Sequence, residues 1–126
     1  MSIPESNYTD EHILGLIRRF EALEQFTTYR RKPSEEKALV AELDRVYLAS
    51  LGRMTTDRKI QMAIDAIIKD LKAEKGSHKQ HGIRLSQMAL DLHLAAKNGR
   101  CGDAAQSVVM ADKLVEVAEW LFEHIN

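Results

Sequence analysis

The amino-acid sequence predicts an all-α fold, a compact bundle of about five amphipathic helices that form a single domain over residues 1–126. Three observations predict this fold. Apolar residues recur three and four positions apart, the spacing that places them on one face of a helix. Side chains that cap helix N-termini precede these segments. The chain has only two prolines and six glycines, and most of them fall between the segments. The predicted helices span residues 10–30, 35–51, 56–75, 78–98 and 103–125.

The first predicted helix begins after Thr9, whose hydroxyl can accept hydrogen bonds from the first backbone amides. Its apolar positions are Ile13, Leu16, Ile17, Phe20 and Leu23. Pro33 disfavours helical conformation at the residue before it, so the helix is predicted to end near residue 30. Residues 1–8 are mostly polar and are expected to be flexible.

The second and third helices have comparable start and stop signals. Ser34 is predicted to cap the second helix, and Gly52 to end it in the left-handed conformation that glycine adopts readily. The Thr-Thr-Asp run at residues 55–57 should begin the third helix, and Gly76 should end it. The apolar stripes are Leu39, Leu43, Val46 and Tyr47 in the second helix, and Ile60, Ile64, Ile67, Ile68 and Leu71 in the third.

The fourth and fifth helices each begin with the spacing of a capping box, Ser77 with Gln80 and Asp103 with Gln106. The fourth helix has one apolar face, made of Leu85, Met88, Leu92 and Ala95. A shorter apolar row, Leu90 and Leu94, lies beside that face. The fifth has the most regular pattern, with two rows made of Ala104, Val108, Ala111, Val115, Ala118, Phe122 and Ile125, and of Leu114, Val117 and Leu121. This pattern fits a central bundle helix or, alternatively, the seam of a homodimer through helix 103–125.

Composition and motifs limit the classes of function. The single cysteine, Cys101, excludes an intramolecular disulfide. The N-terminus lacks the apolar run of a signal peptide, and no segment approaches the roughly 20 apolar residues of a membrane span. We therefore expect a cytoplasmic protein that does not contact membranes. The sequence contains no phosphate-binding glycine loop, nucleophile elbow or dinucleotide motif, so we expect no enzymatic activity and no cofactor.

The charge is unevenly distributed along the chain. Residues 1–57 carry a net charge of −2, residues 58–100 carry +5 and residues 101–126 carry −4. The basic segment can be a binding face, or it can lie beside the acidic last helix and be neutralised there.

Nucleic-acid binding is one alternative function of the basic segment, because phosphate contacts need lysine and arginine side chains on one face. The candidate basic face consists of Lys69, Lys72, Lys75, Lys79 and Arg84. A second basic cluster consists of Arg30, Arg31 and Lys32. Residues 58–100 contain no aromatic side chain on which a base could stack, which weighs against this alternative.

The five histidines are candidates for metal or proton chemistry. They lack metal-ligand spacing such as His-Glu-x-x-His, so we predict no metal site. The His-Lys-Gln-His-Gly run at residues 78–82 and the Gly-Asp turn that ends residues 94–103 resemble segments of the histidine phosphotransfer domains, which are all-α bundles. The resemblance implies that His78 is a phosphoacceptor. Gln80 and His81 depart from it, since they stand where that family usually has leucine and lysine.

The sequence as a whole favours a small non-enzymatic regulatory or adaptor protein that forms a homodimer and binds another macromolecule, with a protein as the favoured partner. This interpretation depends on well-capped helices, the absence of catalytic motifs and the divided charge. Nucleic-acid binding through residues 58–100 is the alternative, and phosphotransfer through His78 is the second alternative.

Overall fold

The structure is a computed structural model that describes residues 6–24, 33–55, 57–100 and 102–125. Within these ranges the chain forms five α-helices, which confirms the predicted all-α bundle. They are α1 (Asp10–Glu21), α2 (Pro33–Ser50), α3 (Arg58–Lys72), α4 (His78–Lys97) and α5 (Ala104–Glu123). None of the described helices has the length and apolar character needed to cross a bilayer.

Local sequence signals start and stop most of these helices. Side-chain oxygens accept hydrogen bonds from backbone amides at the N-termini of α1, α3, α4 and α5, and the capping residues are Thr9, Asp57, Ser77 and Asp103. Gln106 does not complete its capping box as expected. Its Nε2 donates to Ser50 Oγ at 2.5 Å and so joins α5 to α2. Gly52 adopts the predicted left-handed conformation, with a φ of +81°, and Gly99, after α4, has a φ of +67°.

The first helix is shorter than predicted, because it ends at Glu21 rather than near residue 30. The amide of Leu23 donates to the carbonyl of Phe20, three residues back, and this turn closes the helix. Lys79, on α4, donates from Nζ to the carbonyl oxygen of Leu23 at 2.9 Å. A tertiary contact thus satisfies a carbonyl that a longer helix would have used. The basic cluster at residues 30–32 and the rest of the predicted extension lie outside the described residues.

Two other boundaries differ from the prediction. The second helix begins at Pro33, whose fixed φ suits the first helical position, so Ser34 lies inside the first turn and is not the cap. The third helix ends at Lys72, before Lys75 and Gly76. Glu74 has a φ of +56°. The left-handed conformation therefore begins two residues before Gly76, the residue predicted to end this helix.

Helices α4 and α5 form the centre of the bundle. They pack on each other, α1 and α3 pack on α4, and α2 packs on α5. Gly82 lies inside α4 where the ring of Phe20 from α1 reaches the helix backbone. That ring also contacts Phe122 edge-on, with ring centroids 5.2 Å apart. Aromatic packing therefore joins α1, α4 and α5.

The regular apolar pattern of α5 is used inside the chain. Val108, Ala111, Val115 and Ala118 from one row are buried, and the whole second row is buried, namely Leu114, Val117 and Leu121. The helix contacts α1, α2 and α4. This arrangement is that of a central bundle helix. A homodimer through helix 103–125, which stays a prediction, would have to use its remaining surface, on which Val109 is exposed.

Candidate protein-binding groove between α3 and α4

A groove runs along the contact between α3 and α4 and has a volume of about 660 Å³. Its apolar lining residues are Ile60, Ala63, Met88, Leu94 and Ala95, and its charged ones are Asp57, Lys59, Asp91 and Arg100. We call these residues the α3–α4 groove. The alanines leave space where larger side chains would fill the contact, and Leu94 remains 40% exposed. The groove thus presents apolar surface to solvent at the side of a well-packed core.

The four charged groups of the α3–α4 groove form no ion pair with one another, nor with any other described residue. Asp57 caps α3 by accepting from the amide of Lys59 at 2.9 Å. Partial burial raises the pKa of Asp91, and the negative charge of Asp57 raises it further. Asp57 and Asp91 thus line the same groove as Lys59 and Arg100, so the groove carries two charges of each sign beside its apolar lining.

The candidate basic face is largely paired within the chain. Lys69 contacts Asp65 at 2.9 Å, Lys72 contacts Asp44 at 2.5 Å and Arg84 contacts Asp70 at 3.3 Å. The fourth member, Lys79, donates to the carbonyl of Leu23. The described partners come from α2, α3 and the turn that follows α1, so they do not include the acidic α5 that the sequence analysis considered. Lys75 is exposed, and its carbonyl oxygen is used by His81.

The structure places His78 in a partly enclosed position at the start of α4. Its side chain is 10% exposed, and its Nε2 lies 3.4 Å from Glu36 Oε1 on α2. Its ring meets that of His81 edge-on, with centroids 6.0 Å apart. Little of the imidazole surface is therefore open to an incoming phosphoryl donor. The phosphoacceptor role of His78 stays a prediction.

His81 should make the free energy of unfolding depend on pH. It is 3% exposed, and its Nε2 donates to the Lys75 carbonyl oxygen at 2.5 Å, which leaves Nδ1 buried without a hydrogen-bond partner among the described residues. Burial lowers the pKa of His81, the Lys75 carbonyl opposes this effect, and Arg84 reinforces it. Since the unfolded chain then binds the proton more readily, the free energy of unfolding should fall below about pH 6.5, by up to about 1.4 kcal/mol per pH unit.

Urea unfolding between pH 5 and pH 8 measures this dependence. The variant His81→Gln should lose most of the slope below pH 6.5. His12→Gln is the control, because His12 is 45% exposed, and it should keep the slope. An unchanged slope in His81→Gln would contradict the assignment.

A cluster around His93 was not anticipated from the sequence. His93 is 6% exposed, its Nδ1 donates to Asp10 Oδ1 at 3.0 Å, and its Nε2 faces Asp112 Oδ1 at 3.8 Å. Lys97 also pairs with Asp10. Ser6, within the stretch expected to be flexible, donates to Asp112 Oδ1 at 2.5 Å. The cluster holds the N-terminal segment, α1, α4 and α5 together, and we interpret it as structural.

Metal ligation and similarity to known proteins give no further indication of function. In the ranges that the structure describes, no three histidine, aspartate, glutamate or cysteine side chains converge on a point that could hold a metal ion. Cys101 lies outside those ranges. No protein-family model, curated protein or solved structure matches this chain.

The sequence analysis did not identify the α3–α4 groove, although one signal was present. Leu90 and Leu94 form a second apolar row on α4, beside the face that the core needs. Leu90 packs partly against the core, whereas Leu94 lines the groove. A second apolar row beside the buried face of α4 is therefore the sequence signal for the groove. It does not show which helix lies opposite that row.

Proposed function

We propose that this protein is a non-enzymatic adaptor that binds another protein through the α3–α4 groove. The observation that supports the proposal is the combination of a partly exposed apolar lining, in which Leu94 is the exposed member, with four charged groups that do not pair within the described chain. Apolar grooves between helices commonly accept the apolar face of a helix, and polar groups at the margin fix its register. A cytoplasmic location is part of the same proposal.

The charge distribution favours a protein over a nucleic acid as the occupant. Four members of the candidate basic face already donate to partners in the chain. The α3–α4 groove adds two cations, but it adds two carboxylates beside them. The groove therefore has no net positive charge to attract phosphate groups, whereas a protein segment can supply both apolar side chains and charges of either sign.

The leucine at position 94 should decide whether the partner binds. Leu94→Glu places a carboxylate on the apolar lining and should weaken binding by about 30-fold or more, the effect of losing one interface hot spot. Leu14→Glu is the matched control, because Leu14 is 38% exposed on α1 and does not line the groove. Both variants should keep the helical circular dichroism and thermal unfolding of the wild type.

The partner is identified by placing the photo-crosslinking residue benzoylphenylalanine at position 94, and at position 14 as the control. In a lysate of the source cells, the probe at position 94 should give a discrete adduct that the probe at position 14 does not. The interaction with that protein is then measured for the two glutamate variants. The proposal would be wrong if position 94 gives no specific adduct, or if Leu94→Glu binds as tightly as Leu14→Glu.

A further inference from the structure

We propose that the α3–α4 turn, residues 73–77, is a pH-sensitive switch that stays closed on α4 while the His81 imidazole is neutral and opens when the ring takes up a proton. The opening is local, and the bundle around α4 and α5 stays folded. The switch is separate from the α3–α4 groove, because none of the groove residues lies in the turn.

His81 provides the buried contact between the turn and α4. Residues 72–77 are all exposed, whereas His81 is 3% exposed. Its Nε2 donates to the carbonyl oxygen of Lys75, and its ring lies against Gly76, where a Cβ atom would come within 2.9 Å of the ring. Because the turn itself is exposed, its opening should cost less free energy than unfolding of the bundle.

The backbone of the turn depends on this contact. Glu74 has a φ of +56° and Gly76 a φ of +88°, so the chain passes through the left-handed region twice within three residues. That region is unfavourable for a residue other than glycine, and surrounding contacts have to maintain it at Glu74. Loss of the His81 contact therefore favours the open turn.

The closed turn accommodates the neutral ring and not the imidazolium ion. Nε2 already donates to the Lys75 carbonyl, so an added proton goes to Nδ1, which is buried with no acceptor among the described residues. Burial lowers the pKa of His81, and the positive charge of Arg84 lowers it further. The ring also lies in the first turn of α4, where the helix dipole disfavours a cation.

The carboxylates that face His81 from other helices already have partners. Asp70 on α3 pairs with Arg84 at 3.3 Å, and Glu36 on α2 lies 3.4 Å from Nε2 of His78. The ring of His78 meets that of His81 edge-on, with centroids 6.0 Å apart. Asp70 and Glu36 act to raise the pKa of His81, but burial outweighs them.

Opening of the turn lets water reach Nδ1, so the ring can hold the added proton. With a pKa of about 6.5 in the open turn, the equilibrium constant for opening should be about 30-fold larger at pH 5.0 than at pH 7.5. Ala73 and Glu74 also line a cavity of about 420 Å³ between α2 and α3, together with Leu71. Opening removes part of the wall of this cavity and should expose Leu71, which is 4% exposed in the closed turn.

Hydrogen–deuterium exchange of the full chain at pH 5.0 and pH 7.5, read by mass spectrometry of peptides, tests the proposal. The informative amides are those of Glu74 and Lys75, which donate to the carbonyls of Leu71 and Asp70 in the closed turn. After correction for the intrinsic pH dependence of exchange, they should exchange up to about 30-fold faster at pH 5.0. Peptides from α5 should keep their protection.

Two variants identify the group that takes up the proton. His81→Gln should abolish the pH response, because the glutamine amide can donate to the Lys75 carbonyl but does not titrate. His12→Gln is the control and should keep the response, because His12 is 45% exposed. Arg84→Gln should reduce the response, since the closed turn then tolerates the imidazolium better, and it serves the same purpose if His81→Gln does not fold.

Three results would overturn the proposal. One is equal loss of protection in the turn and in α5, which would mean that acid unfolds the whole bundle. Another is a turn whose corrected exchange is the same at both pH values. The third is an undiminished pH response in His81→Gln or, if that variant does not fold, in Arg84→Gln. A response that is confined to the turn and lost in His81→Gln supports the proposal.

Discussion

Gly82→Ala is expected to destabilise the protein by about 3 kcal/mol, although alanine normally stabilises a helix relative to glycine. A Cβ atom at position 82 would lie less than 3.0 Å from three atoms of the Phe20 ring. The ring is fully buried and also contacts Phe122, so it cannot move aside without disturbing the junction of α1, α4 and α5. Thermal unfolding should shift downward by roughly 10 °C.

Gly15→Ala is the matched control for this prediction. Gly15 also lies inside a helix, α1. A Cβ atom at position 15 would have no other atom within 4 Å apart from its chain neighbours and the nearby backbone of α1. That substitution should stabilise the protein by up to about 1 kcal/mol. In a double-mutant cycle, Gly82→Ala should cost less when Phe20 is replaced by leucine. An equal cost in both backgrounds would show that the Phe20 contact is not the cause.

Asp10→Ala is expected to reduce the free energy of unfolding by about 2 kcal/mol, because it removes the acceptor for a buried histidine. His93 Nδ1 donates to Asp10 Oδ1 at 3.0 Å and has little access to water. Lys97 also loses its partner, but its side chain is 48% exposed and can be hydrated. Most of the loss should therefore come from His93. Urea unfolding at pH 7 measures the change.

Glu11→Ala is the control, because Glu11 is an exposed carboxylate in the same first turn of α1. It removes the favourable interaction with the helix N-terminus but no buried partner, so the cost should stay below about 1 kcal/mol. Equal losses in the two variants would indicate that the helix dipole, and not the His93 cluster, explains the effect of Asp10.

The same carboxylate should contribute to acid sensitivity. Burial alone would raise the pKa of Asp10, but hydrogen bonds from Lys97 and His93 outweigh burial and lower the pKa below its usual value. The resulting stability is present above about pH 4, the pKa range of an unfolded aspartate, and is lost as pH falls through the lower folded pKa. Asp10→Asn should therefore approach the wild type in stability as pH falls below 4.

The number of helices and most of their N-termini follow from the sequence alone, because these signals act over three or four residues. The hydroxyl of Ser77 reaches the amide of Gln80 whatever the rest of the chain does. The two apolar rows of α5 likewise identify a helix that must be buried. Local periodicity does not, however, distinguish burial within one chain from burial between two.

The tertiary structure decided which charges remain available for binding, because ion pairs depend on which helices are neighbours. Lys72 belongs to a basic segment in the sequence, but Asp44 on α2 pairs with it. Tertiary packing also ended α1 early, through Lys79 and the Leu23 carbonyl, and brought Asp10 to His93, 83 positions away. The α3–α4 groove arises in the same way. The sequence determined that Leu94 lies on a helix, and the position of α3 beside α4 made it part of a surface.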